Sequence, residues 1–260
     1  MNDRTLLVTG ATGVLGREVL RRAHETGCTV RALTRRTAPP DVPGAAGTDW
    51  RTGDLTANTG LDAALIGVDT VIHCASDPRR PQHDLPALRH LLDAARRAGV
   101  RHVVNISIVG VDRVPMRYYR IKLAGEQLLA ASGLGWTNLR ATQFPQLLDG
   151  MLTALARLPV VPMLAGTPVQ PVHPAEVADR LVTLALGQPA GHAPDFGGPE
   201  IHPATELAAS WLRATHRPRR VLPLHLPGRL GTALRHGHLT TPTHPHGTTT
   251  WTDYLTTRPT

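Results

Sequence analysis

Leu6-Leu7-Val8-Thr9-Gly10-Ala11-Thr12-Gly13-Val14-Leu15-Gly16-Arg17-Glu18-Val19-Leu20 decides how the chain is read. Leu6 to Val8 is a short apolar run, the pattern of a buried strand. Glycines follow at 10, 13 and 16, and then Val14, Leu15, Val19 and Leu20 share one helical face. Strand, glycine turn and helix in G-x-x-G-x-x-G spacing form a dinucleotide-binding fingerprint. Gly10 permits a tight turn, Gly13 lets backbone approach a pyrophosphate, and Gly16 lets helix and strand pack closely. The helix N-terminus offers unpaired N–H groups and partial positive charge to phosphates. Gly10, Thr12, Gly13, Val14, Leu15 and Gly16 are therefore assigned to a bound dinucleotide.

Outward from this stretch, Cys28 to Thr34 reads as a second strand. Where an NAD-preferring chain carries an acidic residue for the ribose 2′-hydroxyl, this one has Arg35 and Arg36. A guanidinium forks onto a 2′-phosphate, so the expected cofactor is NADP(H). Thr52-Gly53-Asp54-Leu55 is read as closing a third strand. Asp54 then either caps the next helix or meets the adenine amino group, with Leu55 beside it. Leu61 to Leu65 is a short helix, and Val68 to Cys74 a fourth strand. Its small-residue end, Cys74-Ala75-Ser76, suits close approach of the cofactor. Asp77 to Asp84 reads as a polar loop, Leu85 to Ala98 as an amphipathic helix stopped by Gly99, and Val103 to Ser107 as a fifth strand. Alternating strands and helices are the signature of a doubly wound parallel sheet, with ligands at the carboxyl ends of its strands. Ser107 is at one such end.

Pro115 to Glu126 is a helix in which Tyr118 and Lys122 share a face. Reduction of a ketone needs a hydride at carbon and a proton at oxygen. A tyrosine delivers that proton when a nearby ammonium lowers its pKa, and a serine hydroxyl can bond to the carbonyl oxygen. A lysine can also hold the nicotinamide ribose. Gly135 to Ala141 is a sixth strand; Gln143 and Phe144 follow its carboxyl end, where sheet logic puts the nicotinamide. Phe144 is either a stacking ring or a core contact.

The glycine turn, Gly53-Asp54-Leu55, Ser107, Tyr118-x-x-x-Lys122 and Leu139-Arg140-Ala141-Thr142-Gln143-Phe144 resemble the short-chain dehydrogenase/reductase superfamily, in its atypical, NmrA-like NAD(P)H-binding branch. The resemblance covers roughly residues 4 to 255. It implies Tyr118 as proton donor, Lys122 as its activator and cofactor contact, and Ser107 as carbonyl partner. Tyr119 is a second candidate for the proton. Members of the branch that lost these groups act as redox sensors.

The expected fold is α/β: a Rossmann-type doubly wound parallel sheet over residues 1–145, and a smaller C-terminal substrate-binding lobe over 146–260 whose strands return to the sheet. Helices are read at Gln146 to Leu158, Ala175 to Leu186, Thr205 to Ala214, Leu226 to Leu239 and Trp251 to Leu255. Ala193 to Gly198 is read as a short strand and turn, Arg220 to Leu224 as a last strand, and Leu239 to Thr250 as a mobile loop.

Composition narrows the class. The chain has 260 residues, 41 % hydrophobic, and a formal charge of +8. Its 28 Lys and Arg include one lysine, Lys122, and the arginines are scattered rather than gathered in a stripe. Aromatics at 3 % are too few for base stacking, so no nucleic-acid partner is expected. No run of about 18 apolar residues suggests a membrane span. The N-terminus lacks a signal-peptide layout, and Cys28 and Cys74 lie beside apolar runs, so a cytoplasmic protein with reduced thiols is expected. Nine of the 14 histidines follow residue 170, but His236-x-His238 and His244-x-His246 lack helical ligand spacing and a third ligand, so no metal is expected. The reading is an NADPH-dependent ketoreductase acting on a bulky apolar or aromatic ketone or quinone, with a polyketide antibiotic intermediate as one fit, working as monomer or homodimer. The alternatives are a non-catalytic NADP(H) sensor that binds a protein partner, and a nucleotide-sugar epimerase or dehydratase.

Overall fold

A computed structural model describes residues 4–36, 42 and 46–258. In chain order the elements are β1 (Thr5–Thr9), α1 (Val14–Glu25), β2 (Thr29–Thr34), β3 (Asp49–Thr52), α2 (Leu61–Leu65), β4 (Thr70–His73), α3 (Asp84–Arg97), β5 (His102–Ile108), α4 (Arg117–Ala130) and β6 (Gly135–Ala141). There follow α5 (Pro145–Leu155), β7 (Val160–Leu164), β8 (Pro168–Val169), α6 (Pro174–Leu186), β9 (Gly191–His192), β10 (His202–Pro203), α7 (Ala204–Ala214), β11 (Arg220–Leu224), α8 (Gly228–Arg235) and α9 (Trp251–Thr257). The chain divides into two compact units. The first comprises 1–107, 120–139 and 174–193; the second comprises 108–119, 140–173 and 194–260.

The first unit is built on the seven-stranded parallel sheet, ordered β3-β2-β1-β4-β5-β6-β9. The expected Rossmann-like α/β fold is thus present, and the return from β3 outward to β4 makes the switch point at the end of β1. Continuous apolar runs make the central strands because both faces are covered. Leu6, Leu7, Val8, Val71 and Ile72 are all fully buried. One face packs Leu7, Val71 and Val103 under Leu65, Leu91 and Leu92 of α2 and α3. On α1, Val19, Leu20 and Ala23 are buried, and the helix lies along α6, whose Leu181, Val182 and Ala185 are buried. Each such leucine or valine contributes about 1.5–3 kcal/mol.

The second unit has its own core, in which Leu148, Leu152, Val161, Leu207, Trp211 and Trp251 meet. Two small sheets belong to it, β7 with β11 in parallel and β8 with β10 antiparallel. Trp211 is fully buried, and its indole Nε1 donates to Asp149 at 2.6 Å.

Several boundaries differ from expectation. The third strand ends at Thr52, because Asp54 draws the following residues into a turn. Pro81–His83 forms a 3-10 turn inside the expected polar loop. The helix read over Leu226 to Leu239 is confined to Gly228–Arg235. The segment 239–250 is hydrogen-bonded rather than loose: Gln170 accepts from the Thr241 N–H, and Gly197 exchanges backbone bonds with His244 and Gly247.

Candidate functional site

The glycine turn follows β1 directly. Gly10 has φ +69°, and a Cβ there would lie 2.6 Å from the Ala75 nitrogen and 2.7 Å from the Cys74 carbonyl carbon. A Cβ on Gly16 would lie 2.1 Å from the Gly10 oxygen. Gly10 therefore admits the end of β4, and Gly16 lets α1 close on the turn. A Cβ on Gly13 would meet the Gly10 oxygen alone, at 3.2 Å. Thr12, Gly13 and Val14 face solvent, and no side chain caps α1. The exposed, Cβ-free approach at Gly13 fits a phosphate group, since the first-turn N–H groups of a helix need an acceptor. Leu15 is buried, so its backbone rather than its side chain is offered here.

Arg35 and Arg36 are both exposed immediately after β2. The Arg36 N–H donates to Thr34 Oγ1 at 3.3 Å, and the Thr34 carbonyl accepts from Gly53 at 2.9 Å. Asp54 does not cap the next helix. Its Oδ1 accepts from the N–H groups of Thr56 (2.7 Å) and Ala57 (3.2 Å), an Asx turn, and Gly60 is the N-cap of α2 instead. Leu55 points into the core, and its carbonyl meets His90 Nδ1 at 2.7 Å.

Strand register fixes what shares the sheet's carboxyl edge. Thr9 pairs with His73, and His73 with Asn105. Beside these ends lies a small open cleft lined by His73, Ala75, Asp84, Asn105, Ile121 and Lys122 among others. Lys122 Nζ donates to the Ile106 carbonyl at 3.1 Å. Burial pulls its ammonium below the usual lysine range, opposed by Asp84, Glu126 and Cys74. Thr9 Oγ1 and His73 Nδ1 are 2.8 Å apart. Burial, with Lys122 nearby, pushes His73 down to about 3, so its ring is neutral. Burial pushes the Cys74 thiol up to about 12. Ser107 is 2 % exposed and its hydroxyl has no hydrogen-bond partner among the described residues, a costly state for a buried polar group and one a ligand would relieve.

Tyr118 and Tyr119 occupy the first turn of α4, their rings edge-on at 6.5 Å. Tyr118 is half-buried and one turn before Lys122. Tyr119 is buried, and that burial, with Tyr118 beside it, pushes its hydroxyl up to about 12. Gln143 is fully engaged within the second unit. Its Nε2 donates to Leu239 O at 2.8 Å, and its Oε1 accepts from Gln170 N at 3.1 Å. Phe144 is half-buried just before α5.

Sequence reading passed over Asp84, His73 and Asn105. Asp84 opens α3, and its carboxylate accepts from Ser76 Oγ at 2.5 Å and from the Asp77 N–H at 2.9 Å. Asn105 Nδ2 donates to Asn138 Oδ1 at 2.6 Å. His73 and Asn105 did leave a signal: each directly follows a pair of apolar strand residues, Val71-Ile72 and Val103-Val104, and is itself polar. Among the described residues, no cluster of three or more His, Cys, Asp or Glu is placed to hold a metal. Among them also, no helix is long and apolar enough to cross a membrane.

Comparison with known proteins gives a consistent picture. A family described as NAD(P)H-binding matches residues 10–184. The (4-alkanoyl-5-oxo-2,5-dihydrofuran-3-yl)methyl phosphate reductase of Streptomyces griseus is 35 % identical over 219 residues, 83 % of this chain and 75 % of that protein. The NAD(P)H azoreductase of Xenophilus azovorans is 30 % identical over 226 residues, 85 % of this chain and 77 % of its own. Other curated relatives are longer, and the chain spans 38 % of one from Arabidopsis thaliana. Among solved structures, the NADPH-dependent quinone oxidoreductase of Escherichia coli, complexed with NADPH, superposes with a TM-score of 0.82. It is 22 % identical, covering 96 % of this chain and 98 % of that one.

Proposed function

The chain belongs to the NAD(P)H-binding family, on the atypical short-chain dehydrogenase/reductase branch that its sequence resembles, and we propose that it is an NADPH-dependent reductase of a ketone or quinone. The observation that carries this reading is Lys122. Its depressed ammonium lines a cleft at the carboxyl edge of the same sheet whose first strand ends in the glycine turn. The turn at Gly10, Thr12, Gly13, Val14, Leu15 and Gly16 would hold the diphosphate. Arg35 and Arg36 would hold the 2′-phosphate, Asp54 and the backbone of Leu55 would flank the adenine, and Cys74, Ala75 and Ser76 would line the approach.

NADPH, when bound, supplies the hydride. The chain's part is to place the carbonyl and provide a proton. Lys122 would hold the ribose and would stabilise the tyrosinate left behind if Tyr118 gave up its proton. Tyr118 suits this better than Tyr119, whose buried hydroxyl resists ionisation. The unpartnered Ser107 hydroxyl would meet the carbonyl oxygen. Phe144 is assigned to the nicotinamide side. Gln143 can contribute there through its backbone, since its side chain is engaged elsewhere.

The substrate proposed is bulky and apolar or aromatic, with a polyketide antibiotic intermediate as one fit, and the setting is the cytoplasm, as monomer or homodimer. The reductases among the relatives support this reading. Arg35 and Arg36 weigh against an NAD-using sugar epimerase. The test is steady-state NADPH oxidation with naphthoquinones and polycyclic aromatic ketones. Turnover supports the reductase; tight NADPH binding without turnover across the panel favours a sensor.

A further inference from the structure

We propose, resting on the reductase reading, that Asp84 is a positioning residue that ties the cofactor loop after β4 to Lys122. Both carboxylate oxygens grip that loop, Oδ2 at the Ser76 hydroxyl (2.5 Å) and Oδ1 at the Asp77 N–H (2.9 Å). The start of the same loop, Cys74 and Ala75, is what Gly10 admits. Asp84 also lines the cleft that Lys122 lines. One carboxylate thus touches the segment beside the glycine turn and faces the ammonium.

The groups around Lys122 come from several elements. His73 and Cys74 come from β4 and its end, Asp84 from α3, Glu126 from α4 itself, and the uncharged Asn105 from β5. His73 is neutral and Cys74 protonated at neutral pH, because both are desolvated. The negative charges opposing the desolvation of Lys122 are therefore Asp84 and Glu126. Of these, Asp84 also grips the loop through the two bonds above. The same carboxylate that holds the loop thus opposes the desolvation of the Lys122 ammonium.

Lys122 is the chain's single lysine, so protein labelled with 13Cε-lysine gives one side-chain signal to titrate. Asp84→Asn keeps the shape and an acceptor oxygen but removes the charge. It is expected to lower the Lys122 midpoint by about half a pH unit or more, and to move the alkaline limb of kcat with it. Asp84→Glu, which restores the charge, should return the midpoint toward that of the wild type. Ser76→Ala, on the exposed loop, should weaken NADPH binding severalfold, measured by nicotinamide fluorescence, without moving the midpoint. An unmoved midpoint in Asp84→Asn overturns the proposal, as does NADPH affinity within twofold of wild type in Ser76→Ala. The midpoint and affinity are read without turnover, so a wild type that never oxidises NADPH sinks the reductase reading separately.

Discussion

Gly10 and Ala75 approach so closely that a Cβ on Gly10 would stand 2.6 Å from the Ala75 backbone nitrogen. Two segments 65 residues apart meet here with no room for a methyl group. Gly10→Ala would also force an L-residue to φ +69°, which costs about 1–2 kcal/mol before any clash. The expected outcome is a lower urea midpoint together with loss of NADPH binding. Gly13→Ala, which meets a single oxygen at 3.2 Å, should weaken NADPH binding with a smaller effect on the urea midpoint.

The exposed Arg35 and Arg36 should set cofactor preference without supporting the fold. Replacing both by alanine is expected to raise KM for NADPH about tenfold to a hundredfold, as loss of charge-assisted hydrogen bonds does, and to leave KM for NADH nearly unchanged. An unaltered NADPH to NADH ratio would remove these arginines from the 2′-phosphate.

The two adjacent tyrosines should respond differently. Tyr118→Phe is expected to lower kcat about a hundredfold or more, the range for loss of a positioned proton donor. Tyr119→Phe should keep kcat near that of the wild type and lower thermal stability, because Tyr119 is buried. Near-normal turnover in Tyr118→Phe would mean that another group delivers the proton.

His73 makes stability depend on pH. Its folded pKa, about 3, is below the ordinary histidine value, so between these values the unfolded chain binds a proton that the folded chain refuses. The stability associated with the neutral ring is fully present above about pH 6.5 and is lost as pH falls toward 3, at about 1.4 kcal/mol for each pH unit. Urea denaturation at pH 7.5 and 5 should show this decline, and His73→Asn should flatten it.

Most of the sheet was legible because its strands are runs of apolar residues bounded by turn signals. Leu61–Leu65 and Gly135–Ala141 were read to the residue. Local chemistry misled at Asp54, where an aspartate before a helix resembles a cap; its shorter-range Asx turn took the carboxylate first. The histidine- and threonine-rich segment 239–250 reads as loose because its anchors, Gln170 and Gly197, are remote in sequence. Asp84 was illegible for the same reason. Its hydrogen bonds reach back seven and eight residues across a turn, a spacing that no helical or strand period marks. The Gln143 side chain looked available beside β6, and its engagement with Leu239 and Gln170 shows only once the chain is folded.

The Cys74 thiol, next to the glycine turn, is held protonated up to about 12 by its burial. Thiolate, not thiol, adds to electrophilic carbon. A quinone is an alkylating agent as well as an electron acceptor, and a reactive thiolate beside a site that reduced quinones would be consumed by them. If the substrate is a quinone, as proposed, the partial burial that holds Cys74 as a thiol would also spare the protein covalent self-inactivation at this position.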